Sequence, residues 1–185
     1  MEQAFVSWSG GKDCCLACYR AGASGLQIRY LVNMVTGDGK RSRSHGLKAK
    51  WLEMQSQAIG IPLIQRRTED SNYEAEFKSV LRSLKREGVS AGIFGDIDFS
   101  PHREWIERVC SETGIVSYLP LWGEDQKRIL KEFIDLGFQA VVVATRADLL
   151  GEEWLGRKID PDFVAELGKL GTSPLAGKPA NTIPW

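Results

Sequence analysis

The sequence predicts an α/β fold in which a parallel β-sheet lies between two layers of helices. Short apolar runs of strand type alternate with longer stretches whose apolar residues recur at helical spacing. A polar turn with two glycines, at residues 9–11, joins the first of these runs to the first helix. Another apolar run leads directly into Gly95-Asp96, and open α/β sheets gather their ligands at the carboxyl ends of strands. Such alternation favours parallel strands joined by right-handed crossovers.

The elements follow one another along the whole chain. Strand-type runs cover residues 4–6, 26–35, 59–64, 91–96, 115–120 and 138–144. Helices are expected at 16–21, 46–59, 73–86, 101–110 and 124–136, and a last one starts with the N-cap chemistry of Asp160-Pro161 and ends near Gly168. Glycines follow the first and fifth of these helices, as is common at helix ends.

Two elements have the clearest patterns. The apolar residues of the helix over 73–86 lie along one stripe, which is typical of a helix that faces the core. These residues are Tyr73, Phe77, Val80, Leu81 and Leu84. The run over 138–144 contains three consecutive valines and is the most strand-like stretch of the chain, so we expect a strand there.

Length, charge and composition restrict the class of protein. The 185 residues suffice for one domain with a substantial core, or for one domain with a small appendage. The 24 Lys and Arg residues balance 24 Asp and Glu residues, so no overall charge favours nucleic acid or an anionic membrane. We find neither a signal peptide nor an apolar run of spanning length, and we expect a cytoplasmic protein. These properties are also compatible with a homo-oligomer.

The cysteine pattern does not indicate the disulfide framework of a small secreted protein. Three of the four cysteines are crowded at positions 14, 15 and 18, within the predicted first helix. Cys15 and Cys18 have C-x-x-C spacing, which also occurs in metal and sulfur-carrying sites. We favour buried core thiols, and an iron–sulfur cluster or a sulfur carrier is the alternative.

The turn Ser9-Gly10-Gly11 and the two residues after it predict an anion site. The first amides of a helix have no intrahelical partner and lie at the positive end of its dipole. Glycines let these amides approach an oxyanion closely, Ser9 adds a hydroxyl, and Lys12 adds a mobile positive charge. Asp13 repels phosphate unless it caps amides or acts through Mg²⁺. An ordinary capped helix start is the simpler alternative.

Spacing excludes two familiar phosphate-binding motifs. The sequence contains no G-x-x-x-x-G-K-[ST], because Met34 stands where the motif of Gly39-Lys40 needs its first glycine. Gly37-Asp38-Gly39 lacks the third glycine of a dinucleotide-binding fingerprint.

Several other segments have both a structural and a functional interpretation. The polar loop over 36–44 carries three cations and is either a solvated loop or a basic lid over phosphates. His45 either caps the next helix or lines a nucleotide site. Asp96 either caps a helix or binds Mg²⁺, ribose or substrate. Arg103 fits a surface ion pair or a substrate anion. Residues 149–156 form a packing loop or close an acceptor pocket.

The turn motif and its neighbours carry a family resemblance. Ser9-Gly10-Gly11-Lys12-Asp13-Cys14 resembles the PP-loop, S-G-G-x-D-S, of the N-type ATP pyrophosphatases. More narrowly, residues from about 3 to about 167 resemble the diphthine–ammonia ligase group. The further stretches that support this likeness are Ser44-His45-Gly46, Gly95-Asp96-Ile97, His102-Arg103-Glu104-Trp105, Pro120-Leu121-Trp122-Gly123 and Leu149 to Gly156.

The resemblance implies a fold, a reaction and its ligands. It implies a three-layer, five-stranded parallel sheet of HUP type in the order 3-2-1-4-5. Residues 1–146 would form the nucleotide-binding domain, and 147–185 a C-terminal extension on the substrate side. Such enzymes cleave Mg·ATP to AMP and pyrophosphate. We expect an AMP-forming ligase that adenylates a carboxylate or amide substrate and then transfers ammonia or an amine.

The resemblance also implies roles for individual residues. The catalytic candidates are Lys12, Asp13 and Asp96. The candidates for ATP binding are Ser9, Gly10, Gly11, Lys12, Asp13, Cys14, Asn33, His45 and Gly95. Asp13 and Asp96 are the candidate Mg²⁺ ligands, and Arg103, Glu152 and Glu153 are the candidate substrate residues.

Two departures from the family pattern affect these expectations. Cys14 replaces the last serine of the PP-loop, and a thiol is a weaker hydrogen-bond donor than a hydroxyl. A Glu-Asn-Gly-Glu-Tyr-His-Thr-like segment, usual in the group, has no counterpart in residues 172–185. The resemblance therefore supports ATP binding more fully than diphthine as the substrate. The alternatives are a PP-loop RNA sulfurtransferase and a nucleotide-binding module without turnover.

Overall fold

The computed structural model describes residues 1–145 and 150–169 of the chain. They belong to two compact units, Met1–Trp122 and a second unit that begins at Gly123. In these residues, no helix combines the length and the apolar character needed to cross a bilayer. The functional division at residues 146/147 stays a prediction.

A five-stranded parallel sheet forms the centre of the first unit. Its strands are β1 (Gln3–Ser7), β2 (Gln27–Thr36), β3 (Leu63–Thr68), β4 (Ala91–Ile93) and β5 (Val116–Tyr118). Their order is β3-β2-β1-β4-β5, and every neighbouring pair is parallel. The α/β class and the strand order are therefore confirmed. The order reverses at β1, whose carboxyl end is the usual position of a ligand crevice.

Helices cover both sides of this sheet. In the first unit they are α1 (Lys12–Ala23), α2 (Ala49–Ile59), α3 (Tyr73–Arg86) and α4 (Ser100–Thr113). The second unit contains α5 (Gln126–Asp135) and α6 (Pro161–Lys169). Short 3₁₀ turns lie at Asp70–Asn72 and Glu152–Trp154.

Aromatic contacts connect the central strand with α3 and with the segment that follows β4. The ring of Phe5 on β1 is fully buried and makes edge-to-face contacts with Phe77 and Phe94, at centroid distances of 6.4 and 5.9 Å. Such contacts add about 0.5–1.5 kcal/mol beyond the burial of the rings. Val80, Leu81 and Leu84 of α3 are buried as well, so the predicted core stripe of this helix is confirmed.

The strand predicted over residues 138–144 is wrong. Only Val141 forms a bridge there, an isolated antiparallel one with Lys158. Val142 packs instead against a small cluster of the second unit made of Trp154, Phe163 and Leu167. The apolar character of this run therefore serves local packing, while Val141 and Val143 stay exposed.

The predicted start of the last helix is confirmed. The Asp160 carboxylate accepts a hydrogen bond from the amide of Phe163 at 2.8 Å, as an N-cap residue does. Arg157 lies over the ring of Trp154, 4.5 Å from its centroid, and pairs with Glu166 at 2.6 Å. These contacts stabilise the second unit around its cluster.

Candidate nucleotide-binding site

The turn after β1 has the geometry of an anion-binding loop. Gly10 has a φ of 78°, in the left-handed region that favours glycine, and Gly11 is the extended N-cap of α1. No side chain caps this end of α1, and the Gly11 amide is directed to the Ser9 hydroxyl at 3.3 Å. The first amides of α1 thus lie at the positive end of a helix dipole, and the Gly11 amide and the Ser9 hydroxyl make hydrogen bonds within the loop.

Lys12 and Asp13, in the first turn of α1, form a close ion pair. The Lys12 ammonium lies 2.7 and 2.8 Å from the two oxygens of the Asp13 carboxylate. The exposed fractions of the two side chains are only 18% and 29%. The pairing keeps the Lys12 ammonium beside the loop. This ammonium offsets the charge of the Asp13 carboxylate, which by itself would repel phosphate.

Cys14 is buried beneath the loop and belongs to its hydrogen bonding. Its sulfur accepts from the Ser9 hydroxyl at 3.3 Å and donates to the Gly11 carbonyl at 3.2 Å. Burial raises the pKa of this thiol, although hydrogen bonds from Ser9 partly oppose the shift. The residue therefore supports the loop as a neutral thiol.

The other three thiols are protonated as well. Burial raises the pKa of Cys15 to about 11 and that of Cys18 to about 12, with smaller contributions from neighbouring cysteines. Burial alone raises the pKa of Cys110 to about 12. In residues 1–145 and 150–169, no three His, Cys, Asp or Glu side chains are grouped to hold a metal ion. The raised pKa values do not favour a sulfur carrier, which reacts as a thiolate.

We expect the native thiols to react slowly with iodoacetamide at mildly alkaline pH. Only the thiolate is nucleophilic, so each should react at least about tenfold more slowly than free cysteine. The rate should rise with pH as the thiols with pKa near 11 to 12 ionise. Mass spectrometry of the native protein measures the rates, and urea-unfolded protein, in which all four thiols should react, is the control. A native thiol as fast as free cysteine would contradict the assignment.

His45 lies against the loop. A methyl group built on Gly11 would lie 2.9 Å from its Nε2 atom, so the ring approaches the loop backbone closely. Surrounding atoms that displace water lower the pKa of His45; Asp13 opposes this effect and Lys12 adds to it. The ring is thus kept neutral beside the candidate phosphate site.

Gly95 brings the end of β4 onto the start of α1. A methyl group built on Gly95 would lie 2.7 Å from the Cys14 nitrogen and 2.8 Å from the Asp13 carbonyl carbon. Backbone atoms cannot move aside as flexible side chains do. Asp96 consequently follows a point of direct contact with the first turn of α1.

Asp96 is hydrogen-bonded to Nδ1 of His102, in the first turn of α4. The His102 ring stacks on Trp105 with a centroid distance of 5.7 Å and an interplanar angle of 7°. The indole of Trp105 in turn donates to the Glu74 carboxylate at 2.8 Å. Arg108 and Lys78 also bind Glu74, and these contacts hold its pKa well below the usual range. A fixed network therefore positions the Asp96–His102 pair.

Asn33 is buried in β2, near the carboxyl end of the strand. Its amide nitrogen donates to the Trp8 carbonyl at 2.8 Å and to the Ser42 hydroxyl at 2.9 Å. Its side-chain oxygen has no hydrogen-bond partner within residues 1–145 and 150–169. The residue connects the exit of β1 with the loop over 36–44.

The candidate substrate residues belong to different units, Arg103 to the first and Glu152 and Glu153 to the second. Arg103 pairs with Glu107 at 2.6 Å and lies over the ring of Trp122 at 4.9 Å, a surface arrangement. Glu152 and Glu153 are exposed in a 3₁₀ turn of the second unit. Leu149, the start of the segment singled out from sequence, lies outside the described residues. The substrate roles of these residues stay predictions.

The loop over 36–44 is a small hairpin in the structure. Val35 bridges Ser42, and Arg41 bridges Lys48, both in antiparallel fashion. The guanidinium of Arg41 donates to the Gly46 carbonyl at 2.7 Å, and Arg43 pairs with Asp70. These contacts hold the hairpin against Gly46 and Asp70.

Family models match nearly the whole described chain. Residues 2–117 match the N-terminal domain of diphthamide synthase, and residues 125–174 match its C-terminal domain. The chain belongs to the diphthamide synthase family. The PP-loop, Gly95 and the Asp96–His102 pair all lie within the N-terminal match.

Curated relatives agree with this family. The chain is 26% identical to a diphthine–ammonia ligase of Danio rerio over 178 residues, which cover 82% of the chain and 68% of the relative. It is also 26% identical to a diphthine–ammonia ligase of Schizosaccharomyces pombe over 173 residues. That match covers 82% of the chain but only 28% of the yeast protein, which is therefore much longer.

A solved structure supports the fold. The chain is similar to a predicted subunit of a tRNA methyltransferase from Methanocaldococcus jannaschii, with a TM-score of 0.53 and 17% identity. The similarity covers 94% of this chain and 91% of the archaeal one. At this identity the likeness concerns the fold alone.

Sequence reasoning missed several residues next to the loop. Gln55 of α2 and Trp8 are hydrogen-bonded to each other and, through Gln55, to Gly10. His102 belongs to a stretch of the family likeness, and the sequence indicates no role for it. No local pattern marks Gln55, because it is an ordinary polar residue of an amphipathic helix.

Proposed function

We propose that this protein is an AMP-forming ligase that adenylates a carboxylate with ATP and then forms an amide with ammonia. The observation that carries the proposal is the loop between β1 and α1. It combines a left-handed Gly10, an uncapped helix start at Gly11 and the cation of Lys12 at the point where the strand order reverses. The ligase names of the relatives support the reaction class.

In the first step, an oxygen of the substrate carboxylate attacks the α-phosphorus of ATP. The bond from that phosphorus to the bridging oxygen of pyrophosphate breaks, and pyrophosphate leaves with the electron pair. The amides at the start of α1, the Ser9 hydroxyl and the Lys12 ammonium would stabilise the charge that develops on the leaving group. An acyl adenylate remains.

In the second step, ammonia attacks the acyl carbon. A carbon–nitrogen bond forms, the bond from that carbon to the phosphate oxygen breaks, and AMP leaves with the electron pair. Conversion of ammonium into the amide releases two protons. The Asp96–His102 pair would accept one of them as a general base, and the other passes to water.

Mg²⁺ fits the chemistry of the residues beside the loop. Asp13 and Asp96 supply carboxylate oxygens, the ligands that Mg²⁺ prefers, but each is engaged, by Lys12 and by His102. Bound with ATP, the ion would neutralise part of the phosphate charge. Asp13 would bind the ion after releasing Lys12 to the phosphates, and Asp96 would bind it through Oδ2, the oxygen that His102 does not contact.

Diphthine is the first acceptor to test, because both curated relatives are named for it. The chain spans only 28% of the length of the yeast relative, so the activity of that whole protein is a proposal for this chain.

Product analysis with ATP labelled on its α-phosphate tests the proposal. Full-length protein is incubated with Mg²⁺, ammonium and a diphthine peptide, with hydroxylamine as a trapping nucleophile. We expect AMP and pyrophosphate in equal amounts, dependent on the acceptor, and a hydroxamate in the trapped reaction. ADP as the main product would contradict the proposal. ATP binding without AMP under any condition would instead favour the nucleotide-binding module.

A further inference from the structure

Gln55 of α2 uses both ends of its amide to connect the PP-loop with the exit of β1. Its Oε1 accepts from the indole nitrogen of Trp8 at 3.0 Å, and its Nε2 donates to the Gly10 carbonyl at 3.1 Å. The chemistry fixes this orientation, because an indole only donates and a carbonyl only accepts. Trp8 is only 3% exposed, so packing holds its indole in place.

This contact fixes the direction of the next amide as well. The Gly10–Gly11 peptide bond is trans, so its carbonyl and its N–H point in opposite directions. With the carbonyl turned to Gln55, the Gly11 N–H points away from α2, towards the Ser9 hydroxyl. There the N–H makes a long contact of 3.3 Å with the Ser9 hydroxyl oxygen, and a phosphate oxygen would replace that contact.

Without Gln55 the orientation would be free to change. Glycine populates both signs of φ, so a peptide bond between two glycines can rotate at little steric cost. A rotated peptide would place the Gly10 carbonyl oxygen, an acceptor, where the Gly11 donor now lies. Phosphate oxygens would then meet a partial negative charge instead of a hydrogen-bond donor.

We propose that Gln55 is a positioning residue that keeps the Gly10–Gly11 peptide in the orientation that binds the phosphates of ATP. The proposal rests on the assignment of this loop to the phosphates. It concerns phosphate-bearing ligands, because the contacts of Gln55 are to the loop and to Trp8. Adenosine, which has no phosphate, is the matching negative ligand.

The test uses two variants of Gln55 in the full-length chain. In Gln55→Glu, the carboxylate still accepts from Trp8 but repels the Gly10 carbonyl; in Gln55→Ala, both contacts are lost. Gln57→Glu, at an exposed position of the same helix, introduces the same charge and is the matched control. Isothermal titration calorimetry with pyrophosphate, Mg·ATP and adenosine gives the affinities.

We expect Gln55→Glu to lower the affinity for pyrophosphate and for ATP at least about tenfold, or about 1.4 kcal/mol. The affinity for adenosine should change less than about twofold. Gln55→Ala should have a smaller effect in the same direction, and Gln57→Glu none. In ¹⁵N–¹H spectra, pyrophosphate should shift the Gly11 amide in the native protein and not in Gln55→Glu. A substitution that damages the fold would lower the affinity for all three ligands equally.

Two results would overturn the proposal. One is that Gln55→Glu binds pyrophosphate as tightly as the native protein does. The other is that Gln55→Glu loses the same affinity for pyrophosphate and for adenosine, with no selective change in the NMR shift of the Gly11 amide. If the native protein bound neither ATP nor pyrophosphate, the loop assignment would fail together with the role of Gln55. If it bound both but formed no AMP, only the ligase proposal would fail.

Discussion

Replacing Lys12 with alanine is expected to lower the rate of AMP formation by about 100-fold or more, the usual effect of removing a group that stabilises transition-state charge. The substitution removes the cation beside the loop and also leaves the Asp13 carboxylate without its partner. Pyrophosphate would then depart next to an uncompensated negative charge. Affinity for Mg·ATP should fall for the same reason.

A charge-restoring variant separates the two contributions. In Lys12→Ala with Asp13→Asn, the repulsion disappears along with the attraction, so ATP affinity should recover in part. The rate should not recover, because no cation stabilises the leaving group. Lys85→Ala, in the last turn of α3, removes an equal charge away from the loop and is the control. A rate for Lys12→Ala within about threefold of the native one would contradict the assignment of Lys12 to the phosphates.

Replacing Gly95 with alanine is expected to destabilise the protein by about 2–3 kcal/mol, at the upper end of the usual cost of overpacking. The added methyl group would lie 2.7 Å from a backbone nitrogen of α1, so β4 or α1 has to shift to relieve the contact. The start of α1 should move, so ATP affinity should fall at least about tenfold in the fraction that stays folded. Urea unfolding and calorimetry measure the two effects.

Gly22 offers a matched control for this substitution. It lies near the end of α1, and a methyl group built on it would meet nothing within 4 Å. Gly22→Ala should therefore stabilise the protein by about 0.5–1 kcal/mol, the advantage of alanine over glycine in a helix. The same substitution is thus expected to change the free energy of unfolding in opposite directions at the two positions. Equal stability of Gly95→Ala and the native protein would show that the contact relaxes freely.

Local patterns predicted the framework well. The alternation of strand and helix patterns gave the α/β class, and the stripe of Phe77, Val80, Leu81 and Leu84 marked the core face of α3. The same reasoning failed at residues 138–144, where three valines matched a strand. Strand propensity reports that a segment suits a half-buried surface, and the cluster around Trp154 supplies such a surface without a sheet.

The sequence by itself determined the fold class, the place of the PP-loop and the types of residue in it, because these depend on neighbours a few positions apart. The five-strand order came from the family likeness. Only the tertiary structure showed that Gln55 turns the Gly10 peptide, that Gly95 touches α1, and that Asp96 is paired with His102. These contacts depend on the rotation of α2 and on how closely β4 and α1 approach. The packing of the whole core sets both, so no local pattern encodes them.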